Sequence, residues 1–130
     1  MRVARAWELE GAAPRRWVDE ATALRCEMRR GPMGAWNGYV EVPHGHPWHE
    51  LRSSVVAGSV DVHGGVTYSE RRDDGVWWMG FDCCHAGDIA PGIAAVVFEG
   101  DVYRDEAFVR GECRRLAAQI ADARPPESRL

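Results

Sequence analysis

The residues best suited to chemistry lie between positions 44 and 88. All five histidines of the chain fall there, together with an adjacent pair of cysteines and several aspartates. Imidazole, thiolate and carboxylate groups bind transition metals, transfer protons and act as nucleophiles. The candidates are His44, His46, His49, Asp61, His63, Asp82, Cys83, Cys84, His85 and Asp88. We therefore expect the functional site in this part of the chain.

The spacing of Asp82, His85 and Asp88, three residues apart, permits a metal site. A catalytic zinc ion takes three protein ligands and keeps one position for water. The candidate metal ligands are His63, Asp82, Cys83, His85 and Asp88, and zinc is the cofactor that they would bind. The chain has neither paired C-x-x-C motifs nor H-E-x-x-H, so the aspartates have an alternative role as acceptors of backbone hydrogen bonds in a loop.

Cys83 is also a candidate nucleophile. His85 is two residues away, and His63 lies on a strand that is predicted to pair with the strand ending at Cys83. A neighbouring imidazole would favour the reactive thiolate. No papain-like or caspase-like signature surrounds this cysteine, and a cysteine in an apolar strand is usually inert packing. Catalysis by Cys83, His85 and His63 therefore stays open, as does the question of whether the protein is an enzyme.

Tryptophans in the same region favour a third hypothesis, which is binding without catalysis. Aromatic faces beside a few fixed polar groups suit planar ligands such as nucleobases, and they also suit protein interfaces. The predicted ligand-binding residues are His46, Trp48, His63, Trp77, Trp78, Asp82, His85 and Asp88. Because successive side chains of a strand alternate, Trp77 and Trp78 must point to opposite faces.

The elements that position these residues predict an α+β fold. Alternation of apolar residues indicates strands, over residues 3–9, 21–29, 36–42, 59–68 and 76–83. Helix stays open for 21–29, a loop is expected over 11–19, and the strand over 59–68 is predicted to bend at its glycine pair. An apolar stripe predicts a helix from Tyr103 to Ala123, capped by Asp105 or Asp101. We expect a twisted antiparallel sheet with this C-terminal amphipathic helix on one face, and a long irregular His/Gly/Pro loop.

Length and charge limit the domain organisation and the class of ligand. The chain of 130 residues suits a single domain, predicted over 1–123 with a flexible tail over 124–130. Its 16 basic residues are all arginine, and 20 acidic residues give a net charge of -4, which disfavours nucleic acid as a partner. Arginine doublets at 15–16, 29–30, 71–72 and 114–115 are predicted to be solvated surface, with anion binding open for one or two of them.

The amino terminus and the cysteines predict a cytoplasmic protein. No apolar segment follows the first charged residues, so we expect no signal peptide. No apolar run approaches the ~20 residues of a membrane helix, which predicts no contact with a membrane. The four cysteines include an adjacent pair, a poor arrangement for a disulfide framework, so we expect them to be reduced.

Three blocks of sequence resemble a family of uncharacterised short proteins of bacteriophages and prophages, notably of actinobacteria. The blocks are GYVxVPxGHP from residue 38, VDVHGGVTY from residue 60 and WWxGFDCxHxGD from residue 77. The resemblance covers about residues 20 to 120 and supplies no reaction, cofactor or catalytic residue. His44, His49 and Cys84 lie outside the pattern, which leaves His46, His63, Asp82, Cys83, His85 and Asp88.

The resemblance implies a protein that binds a component of a bacterial host. We therefore expect a small binding protein of the host cytoplasm that engages a host protein or a nucleotide-like small molecule. Its predicted surface combines residues 46–49, 61–68 and 77–88. One alternative is a metal-assisted hydrolase that uses His63, Asp82, Cys83, His85 and Asp88. In the second alternative, the same cluster is a structural network of hydrogen bonds.

Overall fold

A five-stranded antiparallel sheet forms the centre of the protein. The computed structural model describes residues 5–93 and 97–123. Its elements are α1 Ala6–Glu10, β1 Arg15–Val18, β2 Arg25–Arg30, β3 Trp36–Val42, α2 Ser53–Val56, β4 Tyr68–Arg71, β5 Trp77–Asp82 and α3 Glu106–Asp122, with short 3-10 turns at Ala57–Ser59 and Pro91–Ile93. The strands lie in the order β1-β2-β3-β5-β4. The predicted α+β fold with a C-terminal helix is confirmed.

Helix α3 packs against one face of the sheet. Its buried stripe includes Val109, Cys113, Leu116 and Ile120, the four positions that the sequence pattern predicted. Gly38 of β3 permits this close approach, because a Cβ atom there would lie 2.4 Å from the ring of Phe81 and 2.9 Å from the Sγ of Cys113. Asp105 caps the helix by accepting a hydrogen bond of 2.9 Å from the backbone N–H of Phe108.

The opposite face of the sheet, which we call the open face, carries charged and aromatic side chains. The register aligns Glu27 of β2 with Tyr39 of β3, then Gly80 of β5 and Tyr68 of β4. These positions share one face because side chains of paired residues point the same way. Met28, Val40, Met79 and Phe81 alternate with them and join the core beneath α3. The two faces therefore differ in chemistry, one being apolar and the other charged.

Two hairpins lie within the sheet. Strand β2 pairs with β3, and β4 pairs with β5 across the turn that contains Gly75. The open choice for residues 21–29 is resolved as a turn followed by strand β2, which begins at Arg25. Among the described residues, no helix is both long and apolar enough to cross a membrane. The predicted tail over 124–130 lies outside the described residues.

Two predictions near the amino terminus are wrong. Residues 6–10 form helix α1 rather than part of a strand, and residues 15–18 of the predicted loop form strand β1, which pairs with β2. The helix ends at Glu10, whose carboxylate accepts hydrogen bonds from the indole of Trp36 and the backbone N–H of Glu106. These long-range contacts override the local apolar pattern, and residues 3 and 4 lie outside the described part of the chain.

The predicted strand over 59–68 is also wrong, because only Tyr68 of that range lies in a strand. Two backbone N–H groups in the preceding loop bond to side chains of α3 instead of to a neighbouring strand. The N–H of Asp61 donates to Gln119, and the N–H of His63 donates to Glu112, at 2.7 and 2.8 Å. Loop 60–67 is therefore held against the helix, and it presents His63 beside the end of β5.

Candidate functional site

His63, His85 and Asp88 meet beside the carboxyl end of β5, and we call them the His–Asp cluster. The Nε2 of His63 lies 2.9 Å from the Oδ2 of Asp88, and the Nδ1 of His85 lies 3.3 Å from the same oxygen. The two imidazole rings are 5.5 Å apart between centroids. Each residue offers one ligand atom, and these atoms all lie within 4.8 Å of one another. The sequence predicted all three residues, and the structure brings them together.

Local backbone geometry creates the space for this cluster. Gly64 has φ +68°, and a Cβ atom on it would lie 2.1 Å from the Cε1 of His85. A side chain at this position would therefore displace the imidazole. The backbone N–H of His85 donates to the Oδ2 of Asp88 at 3.1 Å, which closes a short loop of the kind that aspartate stabilises. Glycine on one loop and aspartate on the other thus fix the two rings.

Asp88 is almost fully buried, with 1% of its side chain exposed. Burial by itself would raise the pKa of this carboxyl group. The guanidinium of Arg104, 2.8 Å from Oδ1, the imidazole of His63 and the backbone N–H of His85 outweigh burial and lower the pKa. Asp88 is therefore a carboxylate at neutral pH, with one oxygen bound to Arg104 and the other facing the two histidines.

The remaining predicted members of this site surround the cluster. Asp82 places Oδ1 3.2 Å from the Nε2 of His85, on the side of the ring away from Asp88. Cys83 is buried with 1% exposure. Burial, together with the charges of Asp88 and Asp82, raises the pKa of the Cys83 thiol to about 12. A protonated buried thiol does not have the electropositive and accessible surroundings of a reactive cysteine.

Most of the other predicted histidines and tryptophans lie away from the cluster, near the face of the sheet that packs against the core. His46 donates a hydrogen bond of 2.6 Å from Nε2 to the carbonyl of Ile120, and its ring contacts Trp48. The His44 and His49 rings lie 5.2 Å apart, and His49 also packs near Trp77. Trp48 and Trp77 are partly buried against the hydrophobic core. The structure therefore separates these residues into a second group.

Trp78 lies on the open face, where it lines a cleft. This cleft, which we call the arginine cleft, has a volume of about 810 Å³. It is lined by Arg16, Trp17, Val18, Arg25, Cys26, Glu27, Arg29, Tyr68, Arg71, Arg72, Asp73, Asp74 and Trp78. Five arginines face three carboxylates there, in a protein of net charge -4. Arg25 and Arg71 pair with Glu41 and Glu50 outside this lining, so the excess of positive charge in the cleft comes from Arg16, Arg29 and Arg72.

Three of these arginines surround one buried carboxylate. The side chain of Glu27, only 3% exposed, accepts hydrogen bonds of 2.8 Å from Arg16 and Arg29 and of 2.9 Å from Arg72. Burial would raise the pKa of Glu27, but the hydrogen bonds and charges of these guanidinium groups lower it. One negative charge among three positive charges leaves a local excess of two, and it orients the guanidinium groups.

Arg72 also connects this charge cluster to aromatic rings. Its guanidinium carbon lies 4.6 Å from the ring centroid of Trp78 and 4.5 Å from that of Tyr39, within the range of cation–π contact. Trp78 is 5% exposed. Its Nε1–H is buried and has no hydrogen-bond acceptor among the described residues. Buried polar groups are normally paired, so this unsatisfied donor is an exception among the described residues.

Sequence reasoning missed the arginine cleft as a site. The doublets at 15–16, 29–30 and 71–72 were predicted to be solvated, with anion binding open for one or two of them, and one arginine of each contacts Glu27. A signal was present, because Arg25, Glu27 and Arg29 alternate in β2 and must share a face. The partners from β1 and from the end of β4 come together only through the order of the strands in the sheet.

Comparisons with known proteins add no family to this description. No protein-family model matches the chain, and neither a curated protein nor a solved structure is significantly similar to it.

Proposed function

We propose that this protein binds a small anionic ligand of the nucleotide type in the arginine cleft. One observation carries the proposal: three guanidinium groups are held around the buried carboxylate of Glu27, in a cleft that Trp78 also lines. Guanidinium forks match phosphate and carboxylate oxygens in a bidentate manner. The ligand would place its anionic group among the arginines.

Size and aromatic lining support a ligand larger than a simple ion. The volume of about 810 Å³ falls within the range of roughly 300–1,000 Å³ that is common for small-molecule sites. Trp78 and Tyr68 line the cleft, and aromatic rings of this kind favour planar groups such as nucleobases. A nucleotide combines the planar group and the anionic group in one molecule.

The test is thermal-shift and calorimetric titration with adenosine, AMP, ADP and inorganic phosphate. Ligands that bind only the native state raise Tm by mass action, so we expect AMP and ADP to raise it more than adenosine. Arg16→Gln and Arg29→Gln remove guanidinium groups that are 72% and 43% exposed, and we expect the affinity to fall about tenfold, since one such contact contributes roughly 1.5 kcal/mol. Arg114→Gln is the matched control, because Arg114 is exposed on α3 and does not line the cleft.

Two results would overturn the proposal. One is the absence of any shift with nucleotides or phosphate in the millimolar range. The other is equal affinity of the native chain and the Arg16→Gln/Arg29→Gln double variant. The host-protein partner, the hydrolase alternative and the resemblance to phage proteins stay predictions from the sequence.

A further inference from the structure

The His–Asp cluster has a feature that a purely structural hydrogen-bond network does not need: three potential ligand atoms converge, while the far atoms of His85 and Asp88 are engaged by Asp82 and Arg104. His63 and His85 direct Nε2 and Nδ1 towards the same oxygen of Asp88, at 2.9 and 3.3 Å. Ligand atoms about 2.0–2.1 Å from a tetrahedral zinc ion stand roughly 3.3–3.4 Å apart. Of the three pairwise separations, that of 3.3 Å matches this spacing, and that of 2.9 Å needs to lengthen by about 0.4 Å. The third, between the two imidazole nitrogens, lies within 4.8 Å.

We infer that His63, His85 and Asp88 bind a divalent transition-metal ion of the zinc class, at a site separate from the arginine cleft. Two imidazole nitrogens with one carboxylate oxygen form a donor set that suits zinc and its neighbours rather than magnesium or calcium, which prefer oxygen ligands. Metal coordination replaces the His63 hydrogen bond to Asp88, and any proton on the ligating Nε2 is released to solvent.

The outer contacts of the cluster are those that orient metal ligands. With Nδ1 of His85 facing Asp88, its Nε2–H donates to Asp82 at 3.2 Å. A carboxylate on the far nitrogen fixes the tautomer of a ligating histidine and increases its basicity. Arg104 engages Oδ1 of Asp88 at 2.8 Å. Oδ2 also accepts the backbone N–H of His85 at 3.1 Å and offers its other lone pair to the ion. Asp82 and Arg104 are therefore positioning residues for the metal ligands.

Accessibility is compatible with entry of an ion and with a water ligand. The side chains of His63 and His85 are 20% and 33% exposed, whereas that of Asp88 is 1% exposed. The cluster therefore opens to solvent on its histidine side and is anchored in the interior by its carboxylate. Three protein ligands with one solvent-facing position form the pattern of a zinc site that retains water.

The experiment is titration of the full chain, freed of metal by a chelator, with Zn²⁺ by calorimetry and with Co²⁺ by visible absorption. We expect one saturable site per chain, a Co²⁺ spectrum of low coordination number and displacement of Co²⁺ by Zn²⁺. His63→Gln and His85→Gln should abolish this spectrum, and Asp82→Asn should weaken Zn²⁺ about 10–100-fold as an outer-contact change. His44→Gln is the control, because exposed His44 and partly buried His49 form a separate pair that also offers two imidazoles.

Circular dichroism and Tm without metal establish that each variant is folded. If a variant of the cluster does not fold, NMR spectra of the native chain test the inference instead. Zn²⁺ binding must then shift the ring resonances of His63 and His85 and leave those of His44 unchanged. Absence of saturable binding in the native chain would overturn the inference. Loss of binding in His44→Gln but not in His85→Gln would do the same. Neither result bears on nucleotide binding, since the arginine cleft shares no residue with the cluster.

Discussion

The Nε2 atom of His46 lies 2.6 Å from the carbonyl oxygen of Ile120, in the last turn of α3. Its other ring nitrogen accepts a hydrogen bond of 2.9 Å from the backbone N–H of Trp48. A neutral imidazole satisfies both contacts, with the proton on Nε2 and a lone pair on Nδ1. His46 therefore joins the loop after β3 to the end of the long helix in one protonation state only.

This requirement predicts loss of stability in mild acid. Burial lowers the pKa of His46 below 6.5, and the charge of His49 acts in the same direction, against the Ile120 carbonyl. The unfolded chain then binds more protons than the folded chain, so the contribution is complete above pH 6.5 and declines as the pH falls below it. His46→Gln should flatten this part of the urea-unfolding profile between pH 7 and pH 5. His44→Gln, at an exposed position, should leave it unchanged, and an equal effect of the two would contradict the assignment.

Glu10 predicts a second, lower acid transition. Burial would raise the pKa of its carboxyl group, but hydrogen bonds from Trp36, Tyr103 and the N–H of Glu106 lower it below 4.5. Its contribution to stability is present above pH 4.5 and is lost as the pH falls through the folded pKa. Glu10→Gln should reduce the free energy of unfolding at pH 7 by about 1–3 kcal/mol, the range for hydrogen bonds to charged groups. The deficit should shrink below pH 4, whereas exposed Glu99→Gln should show no deficit at either pH.

The four cysteines should differ sharply in reactivity. Cys84 is exposed, and Cys26, Cys83 and Cys113 are buried. Burial raises the pKa of Cys26 and of Cys83 to about 12 and also raises that of Cys113, so these thiols hold little thiolate at neutral pH. A disulfide reagent should modify one thiol per native chain and four in denaturant. Rapid modification that persists in Cys84→Ser would show that the buried thiols are accessible.

Two adjacent glycines, Gly64 and Gly65, allow the close contact between the backbone and the His85 ring to be tested separately from backbone strain. Gly64 and Gly65 both have positive φ, at +68° and +82°, so alanine at either position incurs backbone strain of about 1 kcal/mol. Only Gly64 faces the imidazole, since a Cβ atom on Gly65 meets nothing within 4 Å. Gly64→Ala should therefore destabilise the protein by a further 1–3 kcal/mol or so, as overpacking does. Urea unfolding of both variants measures the difference in the free energy of unfolding. Equal destabilisation would mean that the His85 ring moves aside without cost.

The apolar periodicity of the sequence predicted the helix and the strands that pack through an apolar face. In helix α3 and in strands β3 and β5, most of the apolar positions of the sequence are buried in the core. Loop 60–67 alternates like a strand, yet its N–H groups at Asp61 and His63 are satisfied by Gln119 and Glu112. Hydrogen bonds between residues about 50 positions apart leave no local signal, which is why this strand was predicted wrongly.

The same limit applies to the sites. Asp82, His85 and Asp88 are close in sequence, so their proximity was predictable, and His63 joins them through a loop held to α3. Arg16 and Arg72 reach Glu27 from β1 and from the residue after β4. Those strands lie at opposite edges of the sheet, and only the strand order and side-chain length bring their guanidinium groups to one carboxylate. Residue spacing alone does not encode that convergence.

The arginine doublets also bear on self-association. The two edge strands, β1 and β4, are four residues long each, and both carry arginine: Arg15 and Arg16 on one edge, Arg71 on the other, followed at once by Arg72. Short, charged edges discourage the unpaired N–H and C=O groups of a sheet from pairing with a second chain. Like charges on both edges repel when two sheets meet edge to edge, so Arg16 and Arg72, which also contact Glu27, disfavour edge-to-edge association.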